Sequence, residues 1–370
     1  MRRWRLVLGG GEADGTGAEL GGDDITIDAA MAAVYDHDGS RRNSGRGSGR
    51  AGGLGRSAPR VARWLGDIRT YFPKPVVQVM QRDAIDRLDL KQLMLEPELL
   101  ESIEPDIHLV TLLVELNHVL PDETRATARQ VVATVLADLE ERLTDRTRAA
   151  VHGALARANR SRRPRPGDID WLRTVHANLR HYQPRYGTVI PERLIGFGRR
   201  QRSLAKEVVI AVDQSGSMAD SVVYASLFGA VLAQLPALET KLVAFDTSIT
   251  DLTPVLHDPV DVLFGVQLGG GTDIAEALGY CTRLITRPTD TVLVLISDLF
   301  EGGNAELMRA RVARLTRSGV TVLCLLALSD EGAPVHDHSA AADLAALGAT
   351  VMACTPDQFP EVIAAALEGR

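Results

Sequence analysis

Five oxygen-bearing side chains stand at positions from which they could hold a hard cation. Asp213, Ser215 and Ser217 alternate in Asp213-Gln214-Ser215-Gly216-Ser217-Met218, directly after the apolar run Val208-Val209-Ile210-Ala211-Val212. Thr272 follows the glycines Gly269-Gly270-Gly271, and Asp298 closes Val292-Leu293-Val294-Leu295-Ile296-Ser297. Carboxylates and hydroxyls with no His or Cys among them suit Mg2+, Mn2+ or Ca2+ rather than zinc or copper. Short β-branched runs bounded by turn residues read as buried strands of a parallel sheet. In open α/β sheets ligands bind at the carboxyl ends of such strands, where both aspartates fall.

Other chemistries fit these residues less well. The glycines 269–271 could cradle a phosphate at a helix N-terminus, but no Lys follows in P-loop fashion, and close backbone approach at Thr272 explains them. A phosphatase with Asp213 as nucleophile needs a second carboxylate two residues on, where Ser215 stands. A nucleophilic Ser215 or Ser217 needs a histidine, and His257, His336 and His338 lie in predicted loops without a triad motif. The chain is therefore expected to bind rather than to catalyse, with a metal-dependent hydrolase as the remote alternative.

The elements that must position the site begin at Glu207, from which strand and helix alternate regularly. Strands are predicted at 208–213, 241–246, 291–297, 320–328 and 349–354, with a short antiparallel edge near 249–253. Helices are predicted near 219–234, 272–286, 304–317, 339–347 and 357–368. This alternation implies an α/β fold, a doubly wound, mainly parallel sheet covered on both faces, over residues 207–370. Met218, Phe300 and Glu301 flank the strand ends and are expected on the rim, available to a partner.

Upstream, residues 57–158 read as an all-helical domain. Val61, Trp64, Leu65 and Ile68 recur at i, i+3, i+4 and i+7. Further helices are expected at 76–88, 97–102 and 107–119. A longer one opens at Asp122 and buries Val132, Val135, Leu136, Leu139 and Leu143. Residues 1–56 form an N-terminal segment with a short helix at 27–35 and a Gly/Ser/Arg-rich loop. Residues 159–206 read as a basic, proline-broken linker followed by a helix over 169–182. The arginines of 41–63 and 157–206 raise a nucleic-acid-binding alternative, against which stands the lack of any recognised nucleic-acid fold.

Composition sets the frame. At 370 residues the chain can hold two domains, and 45% hydrophobic with 24% charged residues is ordinary for a globular protein. No apolar stretch reads as a membrane span of about 18–20 residues. The charges of Met1-Arg2-Arg3-Trp4-Arg5 precede an apolar run, Leu6-Val7-Leu8, too short for a signal peptide. A cytoplasmic location without membrane contact is expected. Cys281, Cys324 and Cys354, without CxxC spacing, read as small buried hydrophobes.

The pattern Asp-x-Ser-x-Ser, then Thr, then Asp resembles the metal-ion-dependent adhesion site (MIDAS) of von Willebrand factor A (VWA) domains, whose Rossmann-like sheet matches the alternation above. Beyond it, Trp4-Arg5-Leu6-Val7-Leu8-Gly9, Gly52-Gly53-Leu54-Gly55, Arg173-Thr174-Val175-His176-Ala177-Asn178-Leu179 and Ser297-Asp298-Leu299-Phe300-Glu301-Gly302-Gly303 resemble bacterial VWA proteins of the CoxE-like type. The resemblance implies that Ser215, Ser217 and Thr272 are direct ligands of Mg2+ and that Asp213 and Asp298 act through water. An open coordination position would then take an acidic side chain of a partner protein. It further implies an adaptor working with a MoxR-type AAA+ ATPase. No Walker A motif occurs here, so the motor would be a separate chain.

Overall fold

The computed structural model describes residues 21–35, 58–87, 95–158, 160–161, 166–197, 205–266, 270–328 and 335–368. The Gly/Ser/Arg-rich loop, most of the basic stretch at 159–166 and residues 267–269 lie outside the described residues. The chain divides into two compact units, Met1–Val135 and Leu136–Arg370.

The first unit is helical among its described residues: α1 (Asp23–Tyr35), α2 (Ala58–Tyr71), α3 (Lys74–Arg87), α4 (Pro97–Glu101), α5 (Ile107–Glu115) and the start of α6 (Asp122–Ala158). The apolar stripe of α2 is buried as its periodicity predicts, and Trp64 Nε1 donates to the Ala30 carbonyl at 2.9 Å, satisfying the indole inside the core. Asp106 caps α5 by accepting from the Leu109 amide at 2.7 Å. The stripe of α6 runs further than predicted, through Leu143, Thr147, Val151 and Ala154, all buried, while Leu139 is only half-buried.

In the second unit the remainder of α6 is followed by α7 (Trp171–Ala177) and a six-stranded sheet. Its strands are β1 (Lys206–Asp213), β2 (Leu238–Phe245), β3 (Ile249–Asp251), β4 (Thr291–Ile296), β5 (Thr321–Leu328) and β6 (Thr350–Cys354). They lie in the order β6-β5-β4-β1-β2-β3, all parallel except β3, which runs antiparallel at the edge. Chain direction across the sheet reverses between β1 and β4, the position at which doubly wound folds form a crevice. On one face Val209, Ala211, Leu293 and Leu295 share a core with α10 (Ile274–Leu284), α11 (Ala305–Arg317) and α12 (His338–Ala346). On the other lie α8 (Ala219–Ala233) and α13 (Phe359–Leu367), whose Phe228 and Phe359 rings stack at 4.2 Å.

Three features depart from the sequence reading. A short helix, α9 (Pro259–Phe264), follows β3 and is capped by Asp258. The helix expected over 169–182 stops at Ala177, because the Asn178 amide is drawn away to the backbone of Glu192 and Arg193. A two-residue antiparallel pair, Tyr182–Gln183 with Thr188–Val189, follows instead. Finally, Gly216–Ala233 is long and apolar enough to cross a membrane, yet 78% of it is buried within the fold, as befits a core helix.

Candidate metal site

β1 delivers Asp213 to the crevice as its last residue, fully buried. The chain then turns sharply: the Ser215 amide donates to Asp213 Oδ1 at 2.9 Å, and Met218 N donates back to the Ser215 carbonyl. This turn brings the two hydroxyls together, with Ser215 Oγ and Ser217 Oγ 3.3 Å apart. Ser217 Oγ donates to Asp298 Oδ2 at 2.7 Å, joining the loop after β1 to the loop after β4. A second link runs beneath it, from Ser297 Oγ to Asp213 Oδ2 at 2.8 Å. Four of the five expected residues thus form one hydrogen-bonded chain.

Thr272, the fifth, is buried at the entrance to α10, and its loop is tied to the same place through the backbone. Gly302 N donates to the Thr272 carbonyl at 2.8 Å, and Asp273 N donates to the carbonyl of Asp246 at 2.9 Å. A Cβ on Gly302 would stand 2.8 Å from the Thr272 oxygen, so the contact demands glycine. Leu299 adopts a left-handed conformation at φ 65° and is wholly buried. That strain, unusual for a branched side chain, turns the chain so that the Phe300 amide donates to Asp298 Oδ1 at 3.3 Å.

The rim differs from expectation. Met218 is buried, 2% exposed, and so does not face a partner. Glu301 is half-buried and occupied: Oε2 accepts from the Ile274 amide at 2.9 Å and Oε1 from Gly303 N at 3.0 Å. It therefore caps the N-terminus of α10. Phe300 is exposed, as a rim residue should be.

Two positioning residues escaped the sequence reading. Ser297 orders Asp213 and also accepts from the Leu299 amide at 3.1 Å. Its signal was the hydroxyl immediately before Asp298, hidden by its place in the strand pattern. Asp246, directly after β2, opens the turn in which its Oδ1 accepts from the Ser248 amide and hydroxyl, and its carbonyl holds Asp273 beside Thr272.

Electrostatics favour a bound cation. Burial raises the Asp213 carboxyl above the ordinary carboxylate range, and the nearby Asp298 charge pushes the same way, against the hydrogen bonds from Ser215 and Ser297. Two buried carboxylates beside each other are relieved by a divalent ion, and the donors are all oxygen. Among the described residues no cluster of three His, Cys, Asp or Glu side chains offers a rival site. The three cysteines are free and buried, and burial pushes their thiols up to about 12.

Residues 143–363 match the family described as VWA domain containing CoxE-like protein. Uncharacterized protein YehP of Escherichia coli (strain K12) is 36% identical over 369 residues, covering 100% of this chain and 97% of that protein. Among solved structures, an aerotolerance-related membrane protein from Bacteroides fragilis shares 17% identity over 44% of this chain and 99% of its own, with a TM-score of 0.35. The SpRpn10 VWA domain shares 10% identity over 43% of this chain and 94% of its own, with a TM-score of 0.33.

Proposed function

The chain belongs to the family of CoxE-like VWA proteins, and from that premise we propose that it is a non-enzymatic, metal-dependent adaptor. VWA domains mediate protein interactions and often bind metal through a MIDAS. Here Ser215, Ser217 and Thr272 would hold Mg2+, or Mn2+ or Ca2+, with Asp213 and Asp298 behind them. The observation that carries this reading is the hydrogen-bonded chain Ser297–Asp213–Ser215–Ser217–Asp298, which gathers hard donors from two separate strand ends.

The bound ion would supply a positive centre for an acidic side chain of a partner protein. The residues of this chain do the rest: Asp213 and Asp298 orient the serine hydroxyls, Glu301 fixes the start of α10 behind Thr272, and Phe300 borders the opening. A hydrolytic role is disfavoured because Ser217 is bonded to a carboxylate rather than to an imidazole that could take its proton. A MoxR-type AAA+ ATPase is the partner we propose, in the cytoplasm, with this chain linking it to a client complex.

Calorimetric titration with Mg2+, followed by co-purification with the ATPase in Mg2+ and in EDTA, tests the reading. Saturable Mg2+ binding lost in Ser217→Ala, together with co-purification lost in EDTA, is expected. Undisturbed capture of the ATPase by a folded Ser217→Ala variant would overturn the mechanism.

A further inference from the structure

A second surface of the same unit inverts the usual arrangement of polar and apolar residues. Of the fifteen large apolar side chains exposed among the described residues, seven fall between Trp171 and Ile190. Leu172 is 73% exposed, Tyr186 67%, and Leu179 and Ile190 more than half. Leu172, Val175 and Leu179, at i, i+3 and i+7, share one flank of α7 and the turn that follows it. Tyr182 and Tyr186 continue from there into the small antiparallel pair, where Ile190 N donates to the His181 carbonyl.

What lies inside is polar. Thr174 and Asn178 are buried. Thr174 Oγ1 exchanges hydrogen bonds with the carbonyl and amide of Ile195, both at 3.0 Å. The Asn178 amide donates to the carbonyls of Thr174 and Arg193 and accepts from the amides of Glu192 and Arg193. The segment is thus held in shape by buried polar side chains, which leaves its apolar ones free of a packing role.

Charge narrows what could cover them. Residues 171–193 carry four arginines against one carboxylate, Glu192, in a chain of net charge −7. Arg180 sits 3.9 Å from Glu192 in an exposed pair, and exposed Arg173 sits 3.6 Å from the part-buried Asp170, contacts that a partner's carboxylates could replace. Trp, Tyr and Arg are the residues that dominate protein interfaces. A second copy of the surface would meet it with like charge. Nucleic acid would satisfy the arginines and stack on the aromatic rings, but would leave Leu172, Leu179 and Ile190 without apolar cover. We propose that residues 171–190 form a docking surface for a protein partner whose apolar contact face is bordered by Asp and Glu, separate from the metal site.

Photo-crosslinking in the native host tests this. Benzoylphenylalanine replaces Leu172, and separately Tyr186, in the full-length chain, with the exposed Arg148 of α6 as the background position, and adducts are mapped by mass spectrometry. Both test positions should mark the same polypeptide, on a segment that combines apolar residues with Asp or Glu. Binding of that purified polypeptide should weaken by about tenfold or more in Leu172→Asp and in the double variant Arg180→Glu, Arg185→Glu, and should persist in EDTA. Adducts to nucleic acid, to another copy of this chain or to the proteins marked from Arg148 would overturn the proposal. So would no adduct at either position, unchanged affinity in the folded variants, or loss of binding in EDTA, which assigns the contact to the metal site instead.

Discussion

Ser297 and Asp213, 84 residues apart in sequence and both buried, meet at 2.8 Å, hydroxyl donating to carboxylate. The pair fixes one Asp213 oxygen while the Ser215 amide fixes the other, so the aspartate cannot rotate away from the serine loop. Removing the hydroxyl in Ser297→Ala leaves a buried carboxylate short of a donor, a loss of about 1–3 kcal/mol. Urea unfolding should report that loss, and Mg2+ titration a weakened affinity, since a free-turning Asp213 no longer holds Ser215 in place.

Gly302→Ala should act on the same site from the other loop. Its Cβ would press on the Thr272 carbonyl at 2.8 Å, and relief requires the two loops to separate. A destabilisation of about 1–3 kcal/mol is expected. Mg2+ should raise the melting temperature of the variant less than that of the wild type. Equal shifts would show that Thr272 keeps its position without this contact.

At the opposite end of β1 stands a buried carboxylate with another role. Burial alone would raise Glu207, but Lys241 at 2.6 Å, the Thr291 hydroxyl and the amides of Thr286 and Arg287 together hold it down to about 2. Its folded value thus lies below its ordinary value of about 4.3. The stability it contributes is complete above that ordinary value and is lost as pH falls through the folded one. Glu207→Gln should cost about 1–3 kcal/mol at neutral pH, because Lys241 is left with only the more exposed Glu239 carboxylate, 3.4 Å away, as its counter-charge. Between pH 4.5 and pH 2, roughly, the variant should show a flatter loss of stability than the wild type. Glu207 and Asp213 are separated by about 20 Å of strand, so Mg2+ affinity should be unchanged.

Asn178→Ala should release the backbone of Glu192 and Arg193 that the amide now holds. Hydrogen exchange at 190–195 is expected to accelerate by about tenfold or more, while amides of β1 and β4 remain protected. Acceleration spread over the whole sheet would mean that this segment supports the core instead of standing beside it.

The sheet was legible because β1 and β4 carry apolar runs that lead to Asp213 and, past Ser297, to Asp298. The edge strand β3 and the helices after each parallel strand followed from the same alternation. Side-chain direction was less legible. Met218 follows the serines in sequence but turns inward at the start of α8, and Glu301 reaches back to Ile274, 27 residues earlier. Neither contact leaves a local trace. The break at Asn178 was likewise hidden, since residues 169–182 carry a helical pattern and the competing partners lie 14 and 15 residues on.

The order of the strands also sets a timetable. Ser217 and Asp298 are 81 residues apart, and the Ser297 amide that precedes Asp298 is held by the carbonyl of Leu325 on β5. A chain emerging from the ribosome therefore exposes its serine loop long before the strand that completes the site can dock. Contacts so distant in sequence form late on the folding pathway. The cation proposed for this crevice would meet a finished receptacle, and its grip should appear as slower unfolding, with the rate of folding left almost untouched.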